Sequence, residues 1–232
     1  MNDKKKQFDF RYAIENTTIV LPPKKTLETF GNTLVNYHLV AELMDDPGKV
    51  RIREGRLQAL KPLIIVPDLN AMEPDMEGFG EQAHEYMKWL KENGDNLRIL
   101  QYGYTLKQES FSEQIVTDGI DAVLDRVVAD VKSSDGAFDA VVKGVDDPWD
   151  VCLVRLFLQL AETSLPYNLQ DFEREHSLEL IDGIPGDVRR EVESAFARAE
   201  RDPSLVRDLG ELLQRLDVFN HYQDRFFRLV RR

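Results

Sequence analysis

A single cysteine, Cys152, stands among 232 residues, too few for an intrachain disulfide or a cysteine-based zinc site. It falls in an apolar stretch and reads as a small buried hydrophobe rather than a reactive thiol. Histidine is scarce as well: His38, His84, His176 and His221 share no metal-ligand spacing. Long hydrophobic runs are missing. The longest, Val151 to Ala161, is broken by Arg155 and Gln159 and is too short to span a bilayer. The stretch Met1 to Gln7 is charged but leads into no hydrophobic signal core, so a reducing cytoplasm is the expected location.

Positive charge is in deficit. Thirty Lys and Arg stand against 42 Asp and Glu, a formal net charge of −12. That balance argues against general binding to nucleic acid or to an anionic membrane, both of which need extended positive surface. No serine sits in a G-x-S-x-G elbow. Gly78-Phe79-Gly80 lacks the third glycine of a dinucleotide fingerprint and the Lys-Ser/Thr of a P-loop. Its acidic neighbours Glu73, Asp75, Glu77 and Glu81 oppose phosphate further. No cofactor is implied.

With 42% hydrophobic and 31% charged residues the chain reads as globular. Its first third is strand-rich. Phe8 to Leu21 is expected as a strand ending at Pro22-Pro23, and Thr33 to Met44 as another, closed by Asp45-Asp46-Pro47-Gly48. Leu63 to Val66 reads as a short buried strand, and an antiparallel meander connects these elements most economically.

The middle third alternates. A helix is expected from about Phe79 to Asn93, a strand from Leu97 to Leu106, a helix from about Ser112 to Lys132 and a buried strand from Ala140 to Val145. The helix that follows carries one polar seam, Arg155, Gln159 and Glu162. From Leu165 onward only helices are expected. Val188, Val192, Ala195, Phe196 and Ala199 share a face, Asp202-Pro203 offers a cap followed by an N1 proline, and apolar periodicity continues to Leu229. Lysine also stops at Lys143. The fold class is therefore α+β: a mostly antiparallel N-terminal sheet, central strand–helix units and a C-terminal helical hairpin or bundle. The corresponding domains are 1–165 and 166–232.

Two constellations carry the functional reading. Lys49-Val50-Arg51-Ile52-Arg53-Glu54-Gly55-Arg56-Leu57-Gln58-Ala59 alternates on both sides of Glu54-Gly55, which predicts a hairpin with a two-residue turn. Lys49, Arg51 and Arg53 then project together and Arg53 faces Arg56, a like-charge pair that needs an anion to neutralise it. The chain's own surplus carboxylates are the first candidate, and an acidic protein segment or small anion the second. Asp146-Asp147-Pro148-Trp149-Asp150 is the other. Asp147 as N-cap, Pro148 at N1 and Asp150 at N3 form a capping box, and the alternative is that Asp146, Asp147 and Asp150 hold Mg²⁺.

The function expected from these features is that of a cytoplasmic accessory or regulatory protein acting by protein–protein contact. Lys49, Arg51, Arg53 and Arg56 form its binding face, and the C-terminal helices offer a surface for a homodimer. The alternative is a Mg-dependent enzyme acting on a phosphorylated small molecule. It requires the arginines and the Asp146–Asp150 turn to converge on one pocket.

Overall fold

The computed structural model of the protein describes residues 9–60, 76–93, 106–174, 180–181 and 183–231. The described residues are α+β, with seven helices and a six-stranded mixed sheet among them. The chain divides into two compact units, whose described parts are 9–60, 76–93 and 106–167 in the first and 168–231, less 175–179 and 182, in the second. The expected strands at 63–66 and across 97–105 lie outside the described residues.

Helix α1 (Phe10–Glu15) opens the first unit where a strand was expected. The Asp9 carboxylate caps it by accepting from the Tyr12 amide. Phe10 stacks on Tyr86 of helix α2 (Glu81–Asn93) at 5.7 Å, and this aromatic contact outweighs the β propensity of the segment. Strands β1 (Thr18–Leu21), β2 (Thr33–Glu42) and β3 (Val50–Ala59) follow, then the short β4 (Met76–Glu77), β5 (Leu106–Val116) and β6 (Asp139–Val145). They lie in the order β1-β6-β2-β3-β5-β4. Strands β2, β3 and β5 form an antiparallel run, β6 is parallel to β2, and β1 is antiparallel to β6. The expected turn at Asp45–Gly48 joins β2 to β3, with Gly48 at φ +94°, a backbone region that favours glycine.

β3 is one unbroken strand, and the hairpin expected at Glu54-Gly55 does not exist. Gly55 is needed for space rather than for a turn. A Cβ there would overlap the Glu109 carbonyl oxygen and lie 2.6 Å from Tyr37 Cζ, because the fully buried Tyr37 crosses directly over it. The Tyr37 hydroxyl accepts from Gln108 Nε2 at 2.8 Å and lies 3.1 Å from Ser110 Oγ.

β5 takes in residues 112–116, which were expected to be helical, and helix α3 begins only at Ile120 (Ile120–Ser134). Val123, Leu124, Val127 and Val131 of α3 pack on Val40, Val50, Ile52 and Val141 of the sheet. Helix α4 (Trp149–Arg174) supplies side chains to the opposite face: Cys152 Sγ lies beside Gly144, next to Leu39. The seam of Arg155, Gln159 and Glu162 is exposed to solvent. α4 continues through Pro166 to Arg174, across the composition change at 165.

The second unit contains a two-strand hairpin, β7 (Leu180–Ile181) and β8 (Ile184–Pro185), where only helices were expected. Helix α5 (Gly186–Arg201), a 3₁₀ turn (Pro203–Leu205), α6 (Val206–Arg215) and α7 (Phe219–Val230) follow. The Asp202 carboxylate caps the turn by accepting from the Ser204 amide, with Pro203 at N1 as expected. Val188, Val192, Phe196, Leu209 and Leu213 form the core, and Arg225 lies 4.1 Å over the Phe196 ring.

Two outcomes follow from this packing. Gly55→Ala lowers stability by about 1–3 kcal/mol, since neither the Glu109 backbone nor Tyr37 has room to yield, whereas Gly119→Ala, where a Cβ meets nothing within 4 Å, changes it by less than about 1 kcal/mol. Urea denaturation followed by circular dichroism measures both. Burial pushes the Cys152 thiol up from its ordinary range, so the thiolate is scarce as well as inaccessible. Iodoacetamide is expected to alkylate it at least about a hundredfold more slowly in the native protein than in urea. Equal rates would place the thiol at the surface.

Candidate functional site

The pleat of β3 separates the cationic residues that the sequence grouped together. Arg51 and Arg53 pair in register with Ala41 and Leu39 of β2, whereas Arg56 pairs with Asn36 and leaves from the opposite face. Lys49 precedes the strand. Its ammonium meets Asp46 Oδ2 at 2.6 Å, and this hydrogen bond raises the Lys49 pKa. The four residues do not form one face.

Arg51 and Arg53 are held by the chain's own carboxylates. Asp146 Oδ1 accepts from Arg51 Nη1 at 2.7 Å and from Arg53 Nη2 at 3.1 Å. Glu113, on the neighbouring strand, accepts from Arg53 Nε at 3.1 Å and lies 3.2 Å from Arg51 Nε. Two guanidiniums between two carboxylates make a neutral cluster. It is mostly buried: the side chains of Arg53 and Asp146 are 7% and 10% exposed, that of Glu113 52%. The Trp149 ring lies 5.0 Å from Arg53 Cζ and covers the guanidinium, whose Nη1 is buried without a hydrogen bond among the described residues.

The Asp146–Asp150 turn therefore does reach Arg51 and Arg53, but of its three carboxylates only Asp146 does so, beside the Trp149 ring. Asp146 is a buried ion-pair partner and no ordinary turn residue. Helix α4 starts at Trp149, one residue later than the capping reading placed it, after a cis Asp147–Pro148 peptide. Asp147 is exposed. The Asp150 carboxylate accepts from the Val151 amide at 3.0 Å and from the Gly80 amide at 2.6 Å. Gly80 leads into α2, so the backbone donor that Gly78-Phe79-Gly80 offers to an anion is taken by this chain's own carboxylate. Asp146 and Asp150 thus have separate partners, and Asp147 is directed to neither. Among the described residues no three His, Cys, Asp or Glu side chains are placed to hold a metal ion. The magnesium reading is not supported, and Arg56, on the other face, does not complete an anion clamp.

The face that carries Arg56 holds a groove of about 850 Å³ between α3 and the strands β3 and β5. A bulge contributes to its wall. Glu54 pairs with Ser112 but Gly55 with Ser110, so Phe111 is an extra residue, and Phe111 and Ser112 both line the groove. On its floor Glu54 Oε2 accepts from Ser112 Oγ at 2.7 Å, while Glu54 Oε1 lies 3.0 Å from His38 Nδ1. Arg56 lies 4.8 Å over the Phe111 ring. Sequence reasoning missed His38, Glu54, Phe111 and Ser112 because the register that joins them spans three strands. The one local signal was the alternation of β3, which was read as two strands.

Beside the groove, β5 forms an edge. β4 pairs only with Leu106 and Lys107, so from Gln108 to Val116 no described strand lies on its outer side. Phe111 and Ile115 of this edge are 58% and 49% exposed.

Removing one member of the buried cluster leaves the opposing charges uncompensated. Asp146→Ala is expected to cost about 3–5 kcal/mol. Glu113→Ala, at a half-exposed carboxylate, costs at most about 1 kcal/mol. Chemical denaturation of both variants checks the order, and an equal loss would contradict the assignment of Asp146 as the central counter-ion. No protein-family model, curated protein or solved structure matches the chain.

Proposed function

We propose that this chain works by contact with another protein, an extended segment of which adds as a strand to the outer edge of β5. The edge from Gln108 to Val116, beside which no described strand lies, carries the reading. Its outward N–H and C=O groups supply main-chain affinity to any extended partner, and the exposed Phe111 and Ile115 supply apolar contacts that select among partners. The same strand carries Lys107, Glu109 and Glu113 and the bulge at Phe111, features that discourage indiscriminate pairing of edges. A partner must match that register, and this favours a specific segment over self-association along β5.

An accessory or regulatory role in a reducing cytoplasm accords with the acidic surface and the single buried thiol. No described helix is long and apolar enough to cross a membrane. The second unit, with Phe227 and Val230 of α7 exposed, is the surface we assign to pairing of two copies. An acidic partner segment, the sequence expectation, has less to recommend it, since Arg51, Arg53 and Lys49 already have carboxylate partners.

Selection of displayed random peptides on the intact protein tests the proposal, followed by hydrogen exchange on the bound complex. Enriched peptides are expected to slow exchange of the backbone amides of 108–116. A Phe111→Glu/Ile115→Glu variant, altered only at exposed positions, is expected to bind them at least about tenfold more weakly. Peptides that protect another surface, or that bind the variant equally well, would overturn the assignment.

A further inference from the structure

The groove between α3 and the β3–β5 face has the volume of a small-molecule site, for which about 300–1,000 Å³ is usual. All of its lining belongs to the first unit. Its wall combines apolar surface from Ile52, Val116, Val127 and Val131 with charged side chains of both signs.

Most of those charges are spent within the wall. Both oxygens of Glu54 are engaged, one by His38 and one by Ser112. Arg126 is paired with Asp118 at 3.3 Å. Asp139 is negatively charged but accepts from two neutral donors, Asn36 Nδ2 at 2.6 Å and Ser134 Oγ at 3.1 Å. Two charged groups remain. The Arg56 guanidinium is held over Phe111 and makes no ion pair among the described residues. The Asp130 carboxylate, on α3 across the groove, makes neither a hydrogen bond nor an ion pair among them. The stretch of groove between them is bounded by one donor-only cation and one acceptor-only anion.

From this arrangement we propose that the groove binds a small zwitterion, a molecule with a carboxylate, a protonated amine and an apolar body, of the class of amino acids and short peptides. Its carboxylate meets Arg56, whose planar fork is already oriented by the Phe111 ring and so loses little freedom on binding. Its amine meets Asp130, and its apolar part lies against Val116 and Phe111, the lining hydrophobes that keep accessible surface. A plain anion would satisfy Arg56 but leave Asp130 without a partner, and a plain amine would do the reverse. Each therefore binds more weakly than a molecule that carries both charges. The site shares Phe111 with the β5 edge, but Arg56 and Asp130 take no part in strand addition, so the two proposals are tested by different substitutions.

Isothermal titration calorimetry on the full chain tests the proposal with two probes, leucine and leucyl-leucine, each beside its N-acetylated and its C-amidated form. At least one free zwitterion is expected to bind, and blocking either end to weaken it by about tenfold or more. Arg56 and Asp130 are both exposed, so Arg56→Gln and Asp130→Asn leave the fold intact. In Arg56→Gln the amidated form is expected to bind as well as the free acid, and in Asp130→Asn the N-acetylated form as well as the free amine. No heat with either zwitterion at about 10 mM overturns the proposal. So does a blocked form that binds the wild type as tightly as the free one, or affinity that neither substitution changes.

Discussion

Two guanidiniums held between Asp146 and Glu113 are the constraint on which the first unit turns. Three stretches distant in sequence, β3, β5 and the β6–α4 connection, meet in that cluster. Its energetics are those of a compulsory contact. The buried Arg53–Asp146 pair gains little net stability over what a well-packed apolar cluster would give, but neither of the two tolerates loss of the other. A one-residue slip of β5 against β3 would remove Glu113 from Arg53, and a slip of β3 against β2 would move both arginines to the α3 face. The cluster therefore penalises wrong registers more than it stabilises the right one.

What β3 shows on its other face follows from that register. With Arg51 and Arg53 fixed on one side, Ile52, Glu54 and Arg56 are turned to the other, where α3 covers Ile52 and leaves Glu54 and Arg56 along an open groove. Gly55 and the Phe111 bulge are then two halves of one accommodation. Tyr37 crosses β3 where the side chain is missing and finds its polar partners on β5 at Gln108 and Ser110. Next to them β5 gains a residue, which places Phe111 beneath Arg56 and Ser112 against Glu54. A buried aromatic on one face and a polar groove on the other share a single local cause.

Much of the fold was legible in the sequence, and what was not had a consistent reason. The Asp45–Gly48 turn, the strand ending at Val145 and the Asp202-Pro203 cap were all read correctly, because each is decided by residues within a few positions of one another. Glu54-Gly55 was misread as a turn because glycine has two uses, a permissive backbone or an absent side chain, and only the position of Tyr37 distinguishes them. The segment 112–116 was joined to α3 because Ile115 continues the apolar period of that helix, yet in β5 its side chain is half exposed. A hydrophobe that faces solvent misleads any inference from periodicity. The counter-charge of Arg51 and Arg53 was anticipated only as a class, the chain's own carboxylates. Asp146 reads as an ordinary turn residue and Glu113 as part of a helix, so the register that joins them was out of reach.

In an acidic chain, the separation of spent from unspent charge is a better guide to a site than the density of charge in the sequence. Lys49, Arg51 and Arg53 drew attention because they cluster, and clustering is itself what makes a fold supply neutralising partners nearby: β3 found Asp146 and Glu113, and Lys49 found Asp46. Arg56 belonged to the same run but, placed across the pleat, has an aromatic ring and no carboxylate partner among the described residues. A ring satisfies a guanidinium only in part, since it covers one face and leaves the in-plane N–H donors free. Asp150 makes the converse case. It sits in a motif with three aspartates in five residues, yet the amides of Gly80 and Val151 engage its two oxygens, so the carboxylate is bound within the fold. Where a charge ends up, and what it touches there, separates residues that hold the fold together from those still free to bind something else.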